Sequence, residues 1–421
     1  MGEYNVVVVG GGPAGMAAAI EARKADNARV LIIERNTALG GILPQCIHNG
    51  FGSVIFGADL PGPEYALRYI DQAEKLGVDV MLDTIVTEIT PNREIYAMNS
   101  RDGYMHMRPD SIVLAMGCRE RTRSQIQLPG VRCTGIFTAG TVQRLVNIEG
   151  YMPGKRVVVL GSGDIGMIMA RRLTIEGAQV VGVFELLPFL TGLRRNYVQC
   201  LLDYNIPLHL STTVTNIFGD RRLEAVEVSR VDEKLQPITG TAQRIECDTL
   251  LLSVGLIPEN ELSRSAGVEL DSRTAGPFVD NFMATNVPGI FAAGNVVMIY
   301  DLVDYVSKAG VVAGGSAVRY AKSGEWRSGN YISLSAGDNV GVLQPQKMRI
   351  DGEDQEILLK LRSSSLFERR VTVEVRDENG PVVSFKEKYA RPAEMIIHPL
   401  KPKEIQAIKN AGSQRLTVVI Q

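Results

Sequence analysis

A chain of 421 residues is too long for one ordinary hydrophobic core, so two or three domains are expected. Its 45 Lys and Arg residues nearly balance its 47 Asp and Glu residues, and the formal net charge of −2 excludes a chain-wide basic surface for nucleic acid. The five cysteines are odd in number and scattered, which argues against a disulfide framework, a structural zinc site or a self-contained iron–sulfur cluster and favours a reducing, cytoplasmic location.

The amino-terminal segment has the pattern of a β-α-β unit that binds a dinucleotide. A continuous apolar run over Asn5 to Val9 is typical of a strand buried on both faces of a parallel sheet. The turn GGGPAG and an alanine-rich, helix-forming stretch follow, and a second apolar run over Arg29 to Ile33 ends at Glu34. In a GxGxxG turn the glycines allow a tight turn, close approach of a pyrophosphate and packing of helix on strand, while the acid binds ribose hydroxyls. The motif glycines are Gly10, Gly12 and Gly15.

The next segment with reactive side chains is GGILPQCIHNGFG, from Gly40 to Gly52, which carries Cys46 and His48. A metal site would need two more ligands, and the surrounding sequence offers none. No basic neighbour in the sequence would lower the pKa of the Cys46 thiol, so a buried apolar role is favoured over a reactive one. The imidazole of His48 suits either proton exchange or simple packing, and both roles stay open at this point.

About 150 residues further on, the first pattern recurs. An apolar run over Val157 to Leu160, the turn GSGDIG, a helix-like stretch and a run over Val180 to Phe184 end at Glu185. Glu185 would repel a 2′-phosphate, which favours NAD over NADP, although Arg194 and Arg195 keep NADP open. Two dinucleotide units favour one nicotinamide and one flavin, because a flavin can accept a hydride and pass electrons onward.

Later elements predict that the second unit is inserted in the first. Ser111 to Gly117 (SIVLAMG) and Thr249 to Gly255 (TLLLSVG) are both apolar strands that end in a turn of small residues. VPGIFAAGNV then predicts a strand and a turn, followed by a helix around Leu302 to Ala321. We therefore predict two Rossmann-like α/β domains, one of residues 1–121 and 251–329 and the other of residues 122–250.

The rest of the sequence indicates that no segment spans a membrane. It also predicts a third, small domain. The uncharged run from Asn281 to Tyr300 approaches membrane length, but its Pro, Asn and Gly residues favour a strand, a turn and a helix start. Residues 330–421 hold β-branched runs, a hairpin signal at Asn379-Gly380 and a short helix before Gly412. They predict a β-rich C-terminal domain without chemistry of its own, suited to partner binding or oligomerisation.

Together, the two GxGxxG turns, the AMG and SVG strand ends and TNVPGIFAAGN resemble the two-dinucleotide-domain flavoproteins related to pyridine nucleotide–disulfide oxidoreductases, over about residues 4 to 325. The resemblance implies FAD in the discontinuous domain and NAD(H) in the inserted one. Asn295 stands where that family usually has Asp, so the predicted flavin environment lacks one negative charge. The predicted cofactor-binding residues are Gly10, Gly12, Pro13, Ala14, Gly15, Glu34, Arg35, Gly40, Gly41, Gln45, Val86, Ala115, Met116, Gly117, Gly161, Gly163, Asp164, Ile165, Gly166, Glu185, Gly255, Gly294 and Asn295.

More narrowly, GGILPQCIHNGFG, GPEYA, MGCRER and FTAGTVQRLVN resemble FAD/NAD oxidoreductase subunits that accompany a second flavoprotein dehydrogenase. This resemblance implies a partner similar to glycerol-3-phosphate dehydrogenase or, in related systems, to the dehydrogenases that act on sarcosine, proline or opines. It also allows a small cysteine-rich iron–sulfur subunit. No cysteine follows Cys247, so any cluster would be held by another chain.

Disulfide reductases of the family carry Cys-x4-Cys after the double glycine, and gapless counting puts those two positions at Leu43 and His48. A dithiol mechanism is therefore not expected, and electrons must leave the flavin by another route. We predict an FAD-containing oxidoreductase subunit that moves hydride or electrons between NAD(H) and a partner or other acceptor, with His48 and Cys46 as candidate catalytic residues. A free-standing NADH oxidase or diaphorase, and an FAD-binding scaffold subunit without turnover, are the alternatives.

Overall fold

A computed structural model describes residues 3–25, 28–325, 331–350 and 357–421. In it the chain folds into two units. One unit comprises Met1–Cys118 and Pro258–Gln421, and the other comprises Arg119–Ile257. The second unit is thus inserted in the first. The chain crosses between them at 118/119 and 257/258, close to the short strands Cys118–Glu120 and Leu256–Pro258, whereas the predicted boundaries were 121/122 and 250/251.

A five-stranded parallel sheet forms the centre of the first unit. Its middle strand is Val6–Val9, whose β-branched side chains are all buried because both faces of the sheet are covered. Val30–Ile33 pairs with it on one side and Ser111–Leu114 on the other, both in parallel. The order across the sheet is Ile290–Ala292, Ser111–Leu114, Val6–Val9, Val30–Ile33 and Asp79–Met81.

Two helices, Pro13–Lys24 and Val303–Ser323, pack on this sheet and on each other. Gly310 and Gly314 let them approach closely, because a side chain at either position would clash with a backbone carbonyl of the first helix. The other elements of this dinucleotide-binding part are the helices Gly62–Lys75 and Glu261–Ser265, the 3-10 turns Leu43–Gln45 and Gly294–Val296, the strand pair Asn49–Phe51 and Leu60–Pro61, and the antiparallel strands Ile85–Ile89, Ile95–Asn99 and Gly103–Met107.

The second unit repeats this topology. Its sheet has the order Ile136–Thr138, Thr249–Leu252, Arg156–Leu160, Gln179–Phe184 and Leu208–His209, and all its pairings are parallel. In both sheets the strand before the GxGxxG turn is the middle one of three. One neighbour is the strand that ends in an acid, and the other is the strand that ends in a turn of small residues, which confirms the internal repeat. The remaining elements are the helices Ala139–Asn147, Asp164–Ile175 and Arg194–Asn196, the π-helical turn Tyr197–Leu202 and the antiparallel strands Thr212–Gly219, Leu223–Arg230 and Gln243–Glu246.

The C-terminal region is rich in β-structure, as predicted, but it is grouped with the first unit, whereas the sequence predicted a separate domain of residues 330–421. Strands Val371–Asp377 and Gly380–Glu387 form the hairpin, and helix Pro402–Ala411 ends at Gly412, whose φ is 67°. Apolar side chains of two sheets and this helix form a separate core. The five-stranded sheet has the strand order Lys347–Arg349, Tyr331–Ala336, Arg415–Ile420, Val371–Asp377 and Gly380–Glu387. The three-stranded sheet has the order Val340–Gln344, Ile357–Ser363 and Ile396–Leu400.

The uncharged run over residues 281–300 contains the strand Ile290–Ala292 and the turn Gly294–Val296, in agreement with the sequence. The helix that follows starts at Val303. Among the helices in the described part of the chain, none combines the length and apolar character that a bilayer crossing requires.

Candidate functional site

The first GxGxxG turn leaves an opening beside the start of helix 13–24. Side chains at Gly10 and Gly15 would collide with neighbouring backbone, and Gly10 has a φ of 108°, so both positions require glycine. A Cβ at Gly12 would instead meet nothing nearer than the Cα of Gly41, at 3.9 Å. The first-turn N–H groups of a helix lack intrahelical acceptors and bind anions, so this opening fits the pyrophosphate of a dinucleotide.

Glu34 lies at the end of the neighbouring strand, and only 5% of its surface is exposed. Its two carboxylate oxygens accept hydrogen bonds from the backbone N–H groups of Gly11, at 2.7 Å, and Asn36, at 2.8 Å. These bonds fix the carboxylate against the glycine turn. Each oxygen keeps acceptor capacity for a ribose hydroxyl, so the FAD-binding role predicted for Glu34 fits this geometry.

The loop of residues 40–56 is attached to this turn and to helix 62–75. The N–H of Gly40 donates to the Gly11 carbonyl at 2.9 Å, and the N–H of Gly62 donates to the Cys46 carbonyl at 2.9 Å. Cys46 is buried, and its thiol donates to the Ile42 carbonyl at 3.3 Å. The burial of Cys46 agrees with the packing role favoured by the sequence over the reactive one.

His48 is half-buried in the same loop, and its Nε2 has almost no exposed surface. Its Nδ1 is 2.9 Å from the carbonyl oxygen of Asn49, and its ring centroid is 5.1 Å from that of Phe51. A carbonyl oxygen only accepts, so this contact requires a proton on Nδ1. The ring is therefore held against Asn49 and Phe51, and both predicted roles of His48, proton exchange and packing, stay open.

Two side chains of helix 303–323, neither of them predicted from the sequence, contact the 40–56 loop and the adjoining helix 62–75. Asp304 is fully buried and accepts hydrogen bonds from the backbone N–H groups of Gly52 and Ile55, at 3.1 and 2.8 Å. Ser307 is 2.8 Å from the hydroxyl of Tyr65, and burial raises the pKa of that phenol, which stays protonated. No sequence pattern indicated these contacts, because the partners are more than 240 residues apart in the chain.

Asn295 orders the turn that precedes this helix. Its side-chain oxygen accepts a hydrogen bond from the N–H of Tyr300 at 3.1 Å, and its amide nitrogen is 3.7 Å from the sulfur of Cys118. Gly294, beside it, has a φ of 80° and lies against Ala14 of the first helix. The structure thus brings the 294–296 turn to the same glycine-rich opening as Gly12.

The inserted unit has a matching acid and a matching glycine. Glu185 is buried and accepts four hydrogen bonds, from the N–H and hydroxyl of Ser162, the hydroxyl of Thr191 and the N–H of Leu187, at 2.7 to 2.9 Å. Gly192 follows Glu185 by seven residues, as Gly41 follows Glu34, and a Cβ there would come within 2.9 Å of the Asp164 nitrogen. Gly192 was not among the predicted residues, although this equal spacing was a readable signal.

The other predicted residues lie at the ends of sheet strands or helix starts. Pro13 and Ala14 begin helix 13–24, and Asp164, Ile165 and Gly166 begin helix 164–175. Val86 lies in the strand Ile85–Ile89, and Gln45 is buried in the 3-10 turn. Arg35, Ala115, Met116, Gly117, Gly161, Gly163 and Gly255 lie in segments that directly follow strands of the two parallel sheets. The cofactor roles of these individual residues stay predictions.

The fold and the two glycine turns define an oxidoreductase class with two dinucleotide-binding domains. The family model of pyridine nucleotide-disulphide oxidoreductases matches residues 4–311, and the chain belongs to that family. The family binds FAD and NAD(P)H, as predicted. The thioredoxin reductase of T. acidophilum has a similar solved structure, with a TM-score of 0.63 and 25% identity, covering 76% of this chain and 99% of that one.

Two curated relatives are named as enzyme subunits. Hydrogen cyanide synthase subunit HcnB of Pseudomonas protegens is 29% identical over 293 residues, which cover 63% of this chain and 59% of the relative. An opine oxidase subunit of Agrobacterium tumefaciens is 28% identical over 312 residues, which cover 69% of this chain and 61% of the relative. The chain therefore spans about three-fifths of the length of these relatives.

Proposed function

We propose that this chain is an FAD-containing subunit that moves electrons between NAD(H) and an acceptor on a partner protein, without a redox disulfide. When bound, the flavin supplies hydride acceptance and onward electron transfer. The residues of the chain bind the dinucleotides at the two glycine turns, fix Glu34 and Glu185 for ribose recognition and hold the imidazole of His48 on the 40–56 loop.

The absence of a dithiol from that loop carries the proposal. Leu43 and His48 occupy the positions expected for a Cys-x4-Cys pair, and Leu43 is buried in a 3-10 turn. All five cysteines lie in the described part of the chain, and none takes part in a disulfide. Burial raises the pKa of the Cys247 thiol to about 12 and also raises the pKa of the Cys200 thiol, so neither supplies a thiolate near neutral pH.

The relatives support a partner rather than independent turnover. Both curated relatives are named as subunits, and one is named for opine oxidation. Because this chain has no dithiol to relay electrons, a partner flavoprotein dehydrogenase would accept or supply them. The finer prediction, a partner similar to glycerol-3-phosphate dehydrogenase with a small iron–sulfur subunit, stays a prediction.

Anaerobic reduction of the FAD-loaded protein tests the proposal. Addition of NADH should bleach the visible flavin absorbance rapidly, and NADPH should do so more slowly. A thiol titration before and after reduction should give the same number of thiols, because no disulfide opens. Failure of both nucleotides to bleach the flavin would leave only a scaffold role, and a gain of two thiols would restore a dithiol mechanism.

The requirement for a partner needs a separate measurement. Affinity purification of the tagged chain from its native host should recover a second flavoprotein dehydrogenase, and NADH consumption by the isolated chain with oxygen should be slow. Full turnover by the isolated chain with oxygen or a dye, and no co-purifying dehydrogenase, would instead identify a free-standing oxidase or diaphorase.

A further inference from the structure

Lys360 is a buried lysine in the C-terminal β-rich region, far in sequence from either dinucleotide turn. It lies in the strand Ile357–Ser363, directly opposite Gln344 of the neighbouring strand, and only 4% of its surface is exposed. Its Nζ donates to the Gln344 side-chain oxygen at 3.2 Å and to the Tyr300 hydroxyl at 3.5 Å. Both acceptors are neutral, so two of its three N–H groups are used without any compensating negative charge.

No described carboxylate forms an ion pair with Lys360, and burial alone lowers its pKa to about 8. A buried ammonium without a counter-ion is costly, and proteins normally pair such a group. Near neutral pH the side chain is nevertheless mostly charged. The structure therefore contains a positive charge for which the described part of the chain provides no anionic partner, with space beside it.

That room is a cavity of about 310 Å³ beside helix 303–323, at the lower end of the range for ligand-binding cavities, about 300–1,000 Å³. Lys360 and Lys308 are the charged side chains among its lining residues, and Lys308 is half-buried with Nζ 5.4 Å from the Tyr305 ring centroid. Most of the remaining wall is apolar and comes from Met283, Ala309, Val311, Val312, Pro345 and Leu358. None of these lining residues belongs to the glycine turns or to the 40–56 loop.

We propose that this cavity binds a small organic monocarboxylate, with its carboxylate on Lys360 and Lys308 and its apolar body against the aliphatic wall. The polar lining residue Asn281 is already paired through both ends of its amide, which donates to and accepts from the Arg349 backbone. The two ammonium groups are the charged donors among the described lining residues. One carboxylate balances the buried charge, and the apolar wall provides the area for a short alkyl or aryl body.

The chemistry of the wall disfavours a phosphate. A phosphate presents oxygens on every side, so several of them would face the apolar wall, and the cavity offers neither a guanidinium nor a run of free backbone N–H groups. An uncharged apolar ligand would leave Lys360 without a counter-ion. A monocarboxylate satisfies both the charge and the apolar surface.

The cavity is connected to the predicted flavin site through Tyr300. The Tyr300 hydroxyl contacts Lys360 and donates to Gln344 at 2.9 Å, and the Tyr300 N–H donates to Asn295. Occupation of the cavity would therefore act on the same segment that carries Gly294 and Asn295. The proposal does not depend on this connection, because binding is measured directly.

Calorimetric titration of the FAD-loaded full chain with hexanoate at pH 7 tests the proposal. Hexanoate should bind at one site, and hexanol, with the same body but no charge, should bind at least about tenfold more weakly. Lys360→Met, which keeps the length of the side chain without its charge, should weaken hexanoate binding at least about tenfold and leave hexanol binding unchanged. Inorganic phosphate should not bind measurably.

A second variant covers the case in which Lys360→Met does not fold. Val311 lies at the rim, 40% exposed, so Val311→Trp should fill the mouth and abolish hexanoate binding without loss of the fold, whereas Val311→Ala should retain it. If Lys360→Met folds and binds hexanoate as tightly as the wild type, the proposal is overturned. If Lys360→Met does not fold, equal hexanoate affinity in Val311→Trp and the wild type overturns it. Absence of hexanoate binding to the wild type, or tighter binding of phosphate than of hexanoate, would overturn it as well.

Discussion

The carboxylate of Asp304 accepts a hydrogen bond from the backbone N–H of Gly52, 252 residues away in the chain, at 3.1 Å. A second bond, from the N–H of Ile55 at 2.8 Å, uses the other carboxylate oxygen. The loop that carries His48 is therefore held by one buried acid at the start of helix 303–323. This acid is not among the predicted cofactor-binding residues, yet its two bonds attach the loop to the helix.

Replacement of Asp304 by Asn should destabilise the protein and loosen this loop. The new amide offers one acceptor and turns a donor toward a backbone N–H, so a buried hydrogen bond is lost, at a cost of about 1–3 kcal/mol in the free energy of unfolding. Urea unfolding of the FAD-loaded protein measures the change. Asp71→Asn, on the exposed side of helix 62–75, is the matched control and should change the free energy of unfolding little. Equal stability of both variants would show that the Asp304 bonds contribute nothing to folding.

Replacement of His48 tests its assignment as a catalytic residue. His48→Ala should retain FAD, because the imidazole is not part of the glycine turn that binds the dinucleotide, but should slow turnover with an acceptor by at least about tenfold if the ring exchanges a proton. His48→Gln keeps the size of the side chain without a titratable group and should be equally slow. His106, half-exposed on a surface strand, provides the control variant His106→Ala. Unchanged turnover in both His48 variants would leave the ring a packing role only.

The two glycine turns could be predicted from the sequence because their signals are local. The β-branched strand, the three glycines and the terminal acid lie within a few dozen residues of each other, and each has a backbone reason for its identity. Glu34 and Glu185 accordingly lie against their turns, in the same place in the two sheets. The equal spacing from Glu34 to Gly41 and from Glu185 to Gly192 belongs to the same local pattern and was overlooked.

The contacts that complete the site could not be predicted because they join distant segments. Asp304 occurs in an ordinary amphipathic stretch, and nothing in its neighbourhood indicates Gly52 as a partner. Lys360 occurs in ILLKLR, where a charged residue would be expected on the solvent side of a strand. Its burial arises from Tyr300 and helix 303–323, which reach it only in the folded chain.

Glu185 should control the choice of nucleotide in the inserted unit. Glu185→Gln removes the negative charge that would repel a 2′-phosphate and keeps one of the two oxygen acceptors, which serve Ser162 and Leu187, so the NADH preference in kcat/KM should fall by about tenfold. Glu185→Ala should relax the preference too, but it also removes four hydrogen bonds and should lower stability. Glu233→Gln, on an exposed turn, is the control. Equal NADH preference in Glu185→Gln and the wild type would mean that another group discriminates between the nucleotides.

Lys360 should give the stability of the protein a distinct dependence on pH. Its folded-state pKa of about 8 lies below its ordinary value of 10.5, so between these values the unfolded chain binds more protons at this site than the folded one. The contribution of Lys360 to the free energy of unfolding should therefore rise with pH across this interval, with a slope approaching about 1.4 kcal/mol per pH unit. Below pH 8 the cost of burying the charge is present in full.

The wild type and Lys360→Met, unfolded in urea between pH 7 and 10, isolate this contribution as their difference in free energy. Burial raises the pKa of Tyr300, which stays neutral across the interval, and Lys308, from the adjoining helix, is present in both proteins. Saturating hexanoate should move the rise to higher pH, because an anion beside Lys360 favours its charged form. A difference in free energy that is constant from pH 7 to 10 would show that the pKa of Lys360 is the same in the folded and unfolded chain, and that burial of its charge has no free-energy cost.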